Sequence, residues 1–295
     1  QAADPALREA LGLAVMSAPP SSLRPAHSAP VSLATLLPGA PQLAISGITL
    51  DSRSVSPGDL YVALPGASTH GARFAAQAVA AGAVAILTDA AGAELAAGIP
   101  AAVVVVDNPR GVMARVAADV YHRPGEQVQL FGVTGTTGKT STTFLVASAL
   151  MACGHRVGTI GTLGFRLDDQ TLASSRTTVT TPEAPDLQGL LAYLVEHGAD
   201  AVAMEVSSHA LALSRTDELV FDVAGFTNLG RDHLDFHADQ EDYFQAKARL
   251  FRDGRSRAAV INIDDEFGRR LAAEVRAAGT TMVTTGHSDR ADYRV

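Results

Sequence analysis

Short apolar runs recur along the chain, each bounded by glycine, proline or a polar cluster. Between them lie longer stretches in which apolar residues return every three or four positions. Runs of the first kind predict strands and stretches of the second kind predict helices. In the first part of the chain strands are expected at about 43–50, 59–64, 84–88 and 101–106, with helices at 32–37, 71–81 and 109–121. Asn108 followed by Pro109 opens the last of these helices, with proline in the first turn where its missing N–H costs nothing. Arg123, Pro124 and Gly125 mark a boundary. Beyond it, strands are expected at 128–133, 156–160, 201–205, 221–226, 258–263 and 281–285, and helices at 139–151, 184–196, 240–251 and 266–278. Strands alternating with amphipathic helices predict a mostly parallel sheet covered on both faces.

The resulting expectation is an α/β protein. A flexible, Pro/Ser-rich leader would occupy residues 1–29, a small α/β unit 30–124 and a larger parallel-sheet unit 125–295. Residues 288–295 complete no element, which predicts a chain cut short within its second unit.

Composition narrows the classes. With 47% hydrophobic and 18% charged residues over 295 positions, a mostly disordered chain is excluded. The formal charge of -8 argues against a nucleic-acid surface, which needs a basic face. A local nest of backbone N–H groups could still hold a phosphate. Cys153 stands alone, so there is no internal disulfide and no thiolate zinc site. No apolar run is long enough to span a membrane as a helix, and no basic segment leads into an N-terminal apolar one. A cytoplasmic protein without membrane insertion is expected.

The strongest local pattern is Gly132-Val133-Thr134-Gly135-Thr136-Thr137-Gly138-Lys139-Thr140, between an apolar strand and a helix. Gly135, Thr136, Thr137 and Gly138 would cradle phosphates with backbone N–H groups at a helix N-terminus. Lys139 would reach the β and γ phosphates of ATP, and the Thr140 hydroxyl would bind Mg²⁺. The spacing departs from the standard phosphate loop, because Val133 stands where the first glycine is expected.

Glu205 ends the apolar run of 201–204. The carboxyl ends of parallel strands face the ligand crevice, so Glu205 suits a magnesium ion, or alternatively a helix cap. Ser207, Ser208 and His209 lack the flanking glycines of a nucleophile elbow. Asp232, His233, Asp235 and His237 form the densest polar cluster and read either as a metal site or as a surface loop. Lys247 lies on the apolar face of its helix with Tyr243 and Phe251. It either snorkels past the tyrosine ring to water, or is a desolvated functional lysine.

Taken together, these residues resemble the Mur ligases of peptidoglycan synthesis, and within them the branch that adds the third amino acid. The likeness extends over most of residues 40–285. It is carried in the first unit by Asp51-Ser52-Arg53, the run 59–66 and His70-Gly71. In the second it is carried by Gly138-Lys139-Thr140, Thr180-Thr181-Pro182-Glu183, Glu205 through His209, Asn228, Asp232 through His237, and Ala246-Lys247. The resemblance implies an ATP-dependent ligase that joins an amino acid, with meso-diaminopimelate expected, to UDP-MurNAc-L-Ala-D-Glu through an acyl phosphate. Thr140 and Glu205 would then hold one Mg²⁺, and His233 with a carbamylated Lys247 a second. Lys139, Lys247 and His233 would be the catalytic groups, and Asn228 would join the ATP site. Ser52, Arg53 and His70 would contact the uridine diphosphate, and Thr180, Thr181, Ser207 and Arg215 the muramyl dipeptide. Leu213 stands where some relatives carry a glutamine. A third domain, a monomeric state and an inactive isolated fragment are further implications. The D-alanyl-D-alanine-adding ligase and the folate–glutamate ligase are the neighbouring readings; a plain NTPase and a non-catalytic binding module are the distant ones.

Overall fold

The computed structural model describes residues 23–26, 28–174, 180–233 and 235–294. A four-stranded sheet forms the first unit, in the order β3 (Gly47–Thr49), β4 (Asp59–Val62), β5 (Ala85–Thr88), β6 (Ala102–Val105), all parallel. A two-stranded ribbon, β1 (Val31–Ser32) with β2 (Ala44–Ile45), and α1 (Leu33–Leu36) precede it. Helices α2 (Ala75–Ala80), α3 (Ala90–Leu95) and α4 (Pro109–Val120) connect and cover the strands. Alternation along a strand sends successive side chains to opposite faces. Leu60 and Val62 therefore join one core with Leu33, Met113 and Val116, while Tyr61 and Ala63 join a second with Ala72 and Ala75. The Asn108 side chain accepts from Gly111 N at 3.0 Å and starts α4 as its sequence predicts.

The larger sheet has nine strands in the order β10-β9-β8-β11-β7-β12-β13-β14-β15. They are β7 (Gln129–Thr134), β8 (Val157–Gly161), β9 (Gly164–Leu167), β10 (Gln170–Leu172), β11 (Ala201–Glu205), β12 (Phe221–Phe226), β13 (Ser256–Asn262), β14 (Thr281–Gly286) and β15 (Tyr293–Arg294). Pairing is parallel from β8 across to β15, and antiparallel through β8, β9 and β10. Helices α5 (Lys139–Ala152), α6 (Ala184–Glu196), α7 (Ser208–Ala212), α8 (Gln240–Ala248) and α9 (Glu266–Ala277) link the strands. Central β11 is buried throughout: Val202 and Met204 enter the large core on one face, Ala201 and Ala203 the patch under α5 on the other.

Three expectations are corrected. The hairpin β9–β10 and helix α3 were not expected from the apolar pattern. Residues 288–295 do contribute an element, since β15 adds to β14 through Thr285 opposite Tyr293. The expected leader is in part packed: Leu23 joins the large core, Arg24 pairs with Asp59, and the Ser28 hydroxyl donates to Val120 O. Residues 1–22 and 27 of that leader lie outside the described residues.

Candidate active site

Parallel pairing aligns three strand ends. Glu205 of β11 lies opposite Val133 of β7, and Phe226 of β12 lies opposite Thr134. The loop after β7, the carboxylate ending β11 and Thr227-Asn228 after β12 are therefore neighbours at the carboxyl ends of three central strands. The chain moves away from β7 in both directions there, which is the crevice where open α/β sheets bind ligands.

Gly135 has φ +149°, and a Cβ on it would meet the Thr227 hydroxyl at 1.9 Å. Its absence lets the loop fold against the β12 end. Thr136 N donates to Asn228 O at 2.9 Å, and Thr137 N donates to Asn228 Oδ1 at 3.0 Å. The Thr227 hydroxyl donates to Thr137 O at 2.7 Å. Helix α5 starts at Lys139 without a side-chain cap, and its first intrahelical acceptor, Gly138 O, is taken by Thr142 N. The N–H groups before Thr142 are those a helix leaves without internal partners.

Lys139 Nζ donates to Gly135 O and Thr136 O at 2.9 Å each, lying across the loop it follows. Lys247 Nζ donates to the same Gly135 O at 2.9 Å and sits 4.4 Å from the centre of the Tyr243 ring. At 1% exposure it does not snorkel. Burial, with Lys139 nearby, pushes its ammonium down to about 7, while Asp232 acts in the opposite sense. Burial also lowers Lys139, opposed by Glu205 and Asp232. The Tyr243 hydroxyl lies 3.2 Å from Thr136 Oγ1, which also accepts from Gly230 N, so α8 braces the loop.

Glu205 is 1% exposed. Thr162 N donates to its Oε1 at 2.8 Å, and the Thr162 hydroxyl to Oε2 at 3.2 Å. A Cβ at Gly161 would lie 2.2 Å from Oε1, so glycine there makes room for the carboxylate. Thr180 Oγ1 lies 3.1 Å from Thr162 Oγ1. His209, lowered chiefly by burial and then by His233 and His237, packs edge-on to His233 at 4.8 Å between ring centres. His237 is buried and bonds Asp242 at 3.1 Å. Among the described residues no group of three or more His, Cys, Asp or Glu could hold a metal ion.

A cleft of about 390 Å³ gathers most of the expected site: Thr136, Gly138, Lys139, Thr140, Thr180, Glu205, Ser207, Arg215, His233 and Lys247 all line it. Thr162, Ser208 and His209 line it too, and were not among the expected site residues. Thr162 carries no motif, yet it follows the carboxyl end of a parallel strand, and that position was the available signal.

Several expected residues have other tasks. Thr181 is buried; its hydroxyl donates to Glu205 O at 2.9 Å and accepts from Ser207 N at 3.0 Å, bracing the cleft wall. The Asn228 side chain holds Thr137 through three hydrogen bonds. Ser207 lines the cleft and also caps α7. In the first unit a cavity of about 510 Å³ is lined by Ser52, Arg53, Tyr61 and Phe74 among others. His70 is outside that lining. Its Nδ1 accepts from Ala72 N, and its Nε2 lies 3.0 Å from Asp89 Oδ1, so both ring nitrogens are engaged. Arg53 pairs with Asp51 at 2.8 Å, and the Ser52 hydroxyl donates to Gln77 at 3.1 Å. Leu234, within the acidic-histidine cluster, lies outside the described residues.

Comparison with known proteins gives the same reading. Residues 133–295 match the Mur ligase middle domain, and residues 44–121 match the Mur ligase family, catalytic domain. The UDP-N-acetylmuramoyl-L-alanyl-D-glutamate--2,6-diaminopimelate ligase of Streptomyces coelicolor is 54% identical over 252 residues, covering 85% of this chain and 48% of the relative. The enzyme of the same name from Streptomyces avermitilis is 50% identical over 281 residues, covering 93% of this chain and 54% of the relative. A solved structure of a UDP-N-acetylmuramoyl-L-alanyl-D-glutamate--2,6-diaminopimelate ligase superposes with a TM-score of 0.75 at 28% identity, over 90% of this chain and 54% of that one. The chain spans about half the length of the curated relatives it matches.

Proposed function

The chain belongs to the Mur ligase family, and from that premise we propose that it carries the ATP and nucleotide-sugar sites of the ligase that adds diaminopimelate to UDP-MurNAc-L-Ala-D-Glu. The single observation that carries this reading is the cleft in which Lys139, Thr140, Glu205, Arg215, His233 and Lys247 meet. The names of the relatives supply the substrate, and the 54% identity of one of them supports diaminopimelate as the added amino acid.

In this reading the triphosphate lies along the loop before α5, against the helix N-terminus. The dipeptide carboxylate attacks the γ phosphorus; the bond from that phosphorus to the bridging oxygen breaks, and ADP leaves. The incoming amine then attacks the acyl carbon, loses a proton and displaces phosphate, leaving an amide. Lys139 offsets the repulsion between carboxylate and triphosphate and stabilises charge during transfer. Arg215 and the Thr180 hydroxyl orient the dipeptide, while Ser52 and Arg53 face the uridine side in the first unit.

The cleft suits Mg²⁺, because the Thr140 hydroxyl and the Glu205 carboxylate are hard oxygen donors opening on one space. Bound there, the ion would neutralise phosphate charge. His233 and Lys247 fit a second ion only after chemical change, since an ammonium repels a cation. A neutral Lys247 amine can attack the carbon of carbon dioxide, form an N–C bond and lose a proton, giving an anionic carbamate. Burial of Lys247 favours that neutral amine.

The test is phosphate release by the full-length protein with ATP, UDP-MurNAc-L-Ala-D-Glu and meso-diaminopimelate or lysine. Release that needs the muramyl substrate and is fastest with diaminopimelate is expected. Equal release with and without the muramyl substrate would defeat the reading. Lys139→Met should lower kcat by about a thousandfold, the scale of losing a charge that acts on the transition state.

A further inference from the structure

Glu183 stands immediately before α6, between Arg110 of the first unit and the cleft residue Arg215. Its two carboxylate oxygens serve two guanidinium groups from different parts of the chain. Oε2 accepts from Arg110 Nη1 of α4 at 3.0 Å. Oε1 pairs with Arg215 Nη2 at 2.8 Å. Arg215 Nη1 donates to Thr181 O at 2.9 Å, two residues before Glu183. The Arg215 side chain is 13% exposed, yet it lines the cleft with Thr180 and Ser207. Its Nε is buried and, among the described residues, has no hydrogen-bond partner.

An arginine side chain has several rotatable bonds and loses considerable freedom when fixed. Here two acceptors on one short segment, Thr181 O and the Glu183 carboxylate, fix both ends of its planar fork. Each terminal nitrogen carries two hydrogens, so each still has one to offer a ligand. Two guanidinium groups against one carboxylate leave a net positive charge in this cluster, whose Arg215 lines the cleft. That arrangement suits an anionic ligand group. Arg110 holds the outer oxygen of Glu183 and so ties this geometry to the first unit.

We propose that Glu183 is a positioning residue: held by Arg110 on one oxygen, it uses the other to fix the Arg215 guanidinium at the cleft wall, where Arg215 anchors an anionic group of the acyl substrate. The inference rests on the ligase reading above for the identity of that substrate.

Calorimetric titration of the full-length protein separates the possibilities, with UDP-MurNAc-L-Ala-D-Glu and ADP as the two probes. Glu183→Gln should weaken the muramyl ligand about tenfold, the scale of one hydrogen bond to a charged group, and leave ADP affinity unchanged. Arg215→Met should weaken it at least as much. The double variant should be no weaker than Arg215→Met alone, because Glu183 acts through Arg215. A purely structural role would move both ligands together. Should Glu183→Gln not fold, Arg110→Met probes the clasp from its outer end, with a loss of about threefold expected for the muramyl ligand alone. Wild-type affinity in Glu183→Gln, or in Arg110→Met where that variant is the one measured, overturns the inference and leaves the ligase reading standing. So does a full further loss when Glu183→Gln is added to Arg215→Met. A wild-type protein that binds ADP but no muramyl ligand overturns the ligase reading, and this inference with it.

Discussion

A lysine with 1% exposure has lost nearly all its hydration, and at Lys247 one carbonyl and one aromatic face replace it. The protonated form is therefore disfavoured in the fold, from an ordinary lysine value of 10.5 down to about 7. Between those two values the unfolded chain binds a proton that the folded chain does not, so stability rises with pH across that window. Lys247→Met should flatten this dependence, and urea unfolding at a series of pH values from neutral to alkaline measures it. Undiminished dependence in the variant would show that the ammonium is not desolvated. In activity, Lys247→Ala should fall well below wild type and recover in part with added short carboxylates, which can stand in for a carbamate. At Gly135 the limit is steric as well as torsional. A methyl group would collide with the Thr227 hydroxyl at a φ of +149°. Gly135→Ala should cost about 2 kcal/mol or more in denaturant unfolding.

Elements place these groups, and they differ in how plainly the sequence announces them. The bounds of α6, β11 and β12 follow directly from their apolar runs and flanking breakers. Helix α3 escapes the periodicity because it is six residues long and four of them are alanine or glycine, and it gains its place through the Asp89 cap on Gly92 N at 2.8 Å. The hairpin β9–β10 turns on Asp168-Asp169, without the Asn-Gly or Asp-Gly signature of a tight turn, and its strands are short. Site legibility divides in the same way. The loop before α5, Glu205 and Lys247 are marked by residue type against an apolar background. Asn228, Thr181 and His70 carry equally suggestive types, yet each is engaged in hydrogen bonds within the fold, and only tertiary packing decides that. Thr162 is the converse, an unmarked residue that fixes both oxygens of Glu205 because β8 ends beside β11. Thr162→Val keeps the backbone donor and loses the hydroxyl. It should leave the fold intact and lower kcat about tenfold, in line with one charge-assisted hydrogen bond. A wild-type kcat in the phosphate-release assay would remove Thr162 from the site.

Across the whole molecule, Leu23, Arg24, Ala26 and Ala29 make ties to both units. Leu23 enters the large core, and Ala26 N donates to Glu196 at the end of α6 at 3.0 Å. His122 after α4 bonds Ala29 O at 2.9 Å. Between these ties Arg24 meets Asp59 of β4 with 2.8 and 2.9 Å contacts and also reaches the Ser56 hydroxyl. Asp59 is 1% exposed, and burial pushes its carboxyl above the usual range despite Arg24 and the Ser56 N–H. Among the described residues, removing the guanidinium would leave that buried carboxylate with the backbone donor at Ser56 N. A buried charge stripped of its partner is expensive, so Arg24→Met should destabilise the protein by about 3 kcal/mol near neutral pH. The sign with pH follows from the raised carboxyl. Where the folded chain binds the Asp59 proton more tightly than the unfolded chain, stability falls as pH rises. In Arg24→Met that effect grows, because the opposing charge is gone. The penalty should therefore shrink as pH falls through the carboxylate range and Asp59 becomes neutral. Denaturant titrations of both proteins at acidic and neutral pH measure it; a penalty that does not change with pH would mean that Arg24 acts by packing and not by pairing.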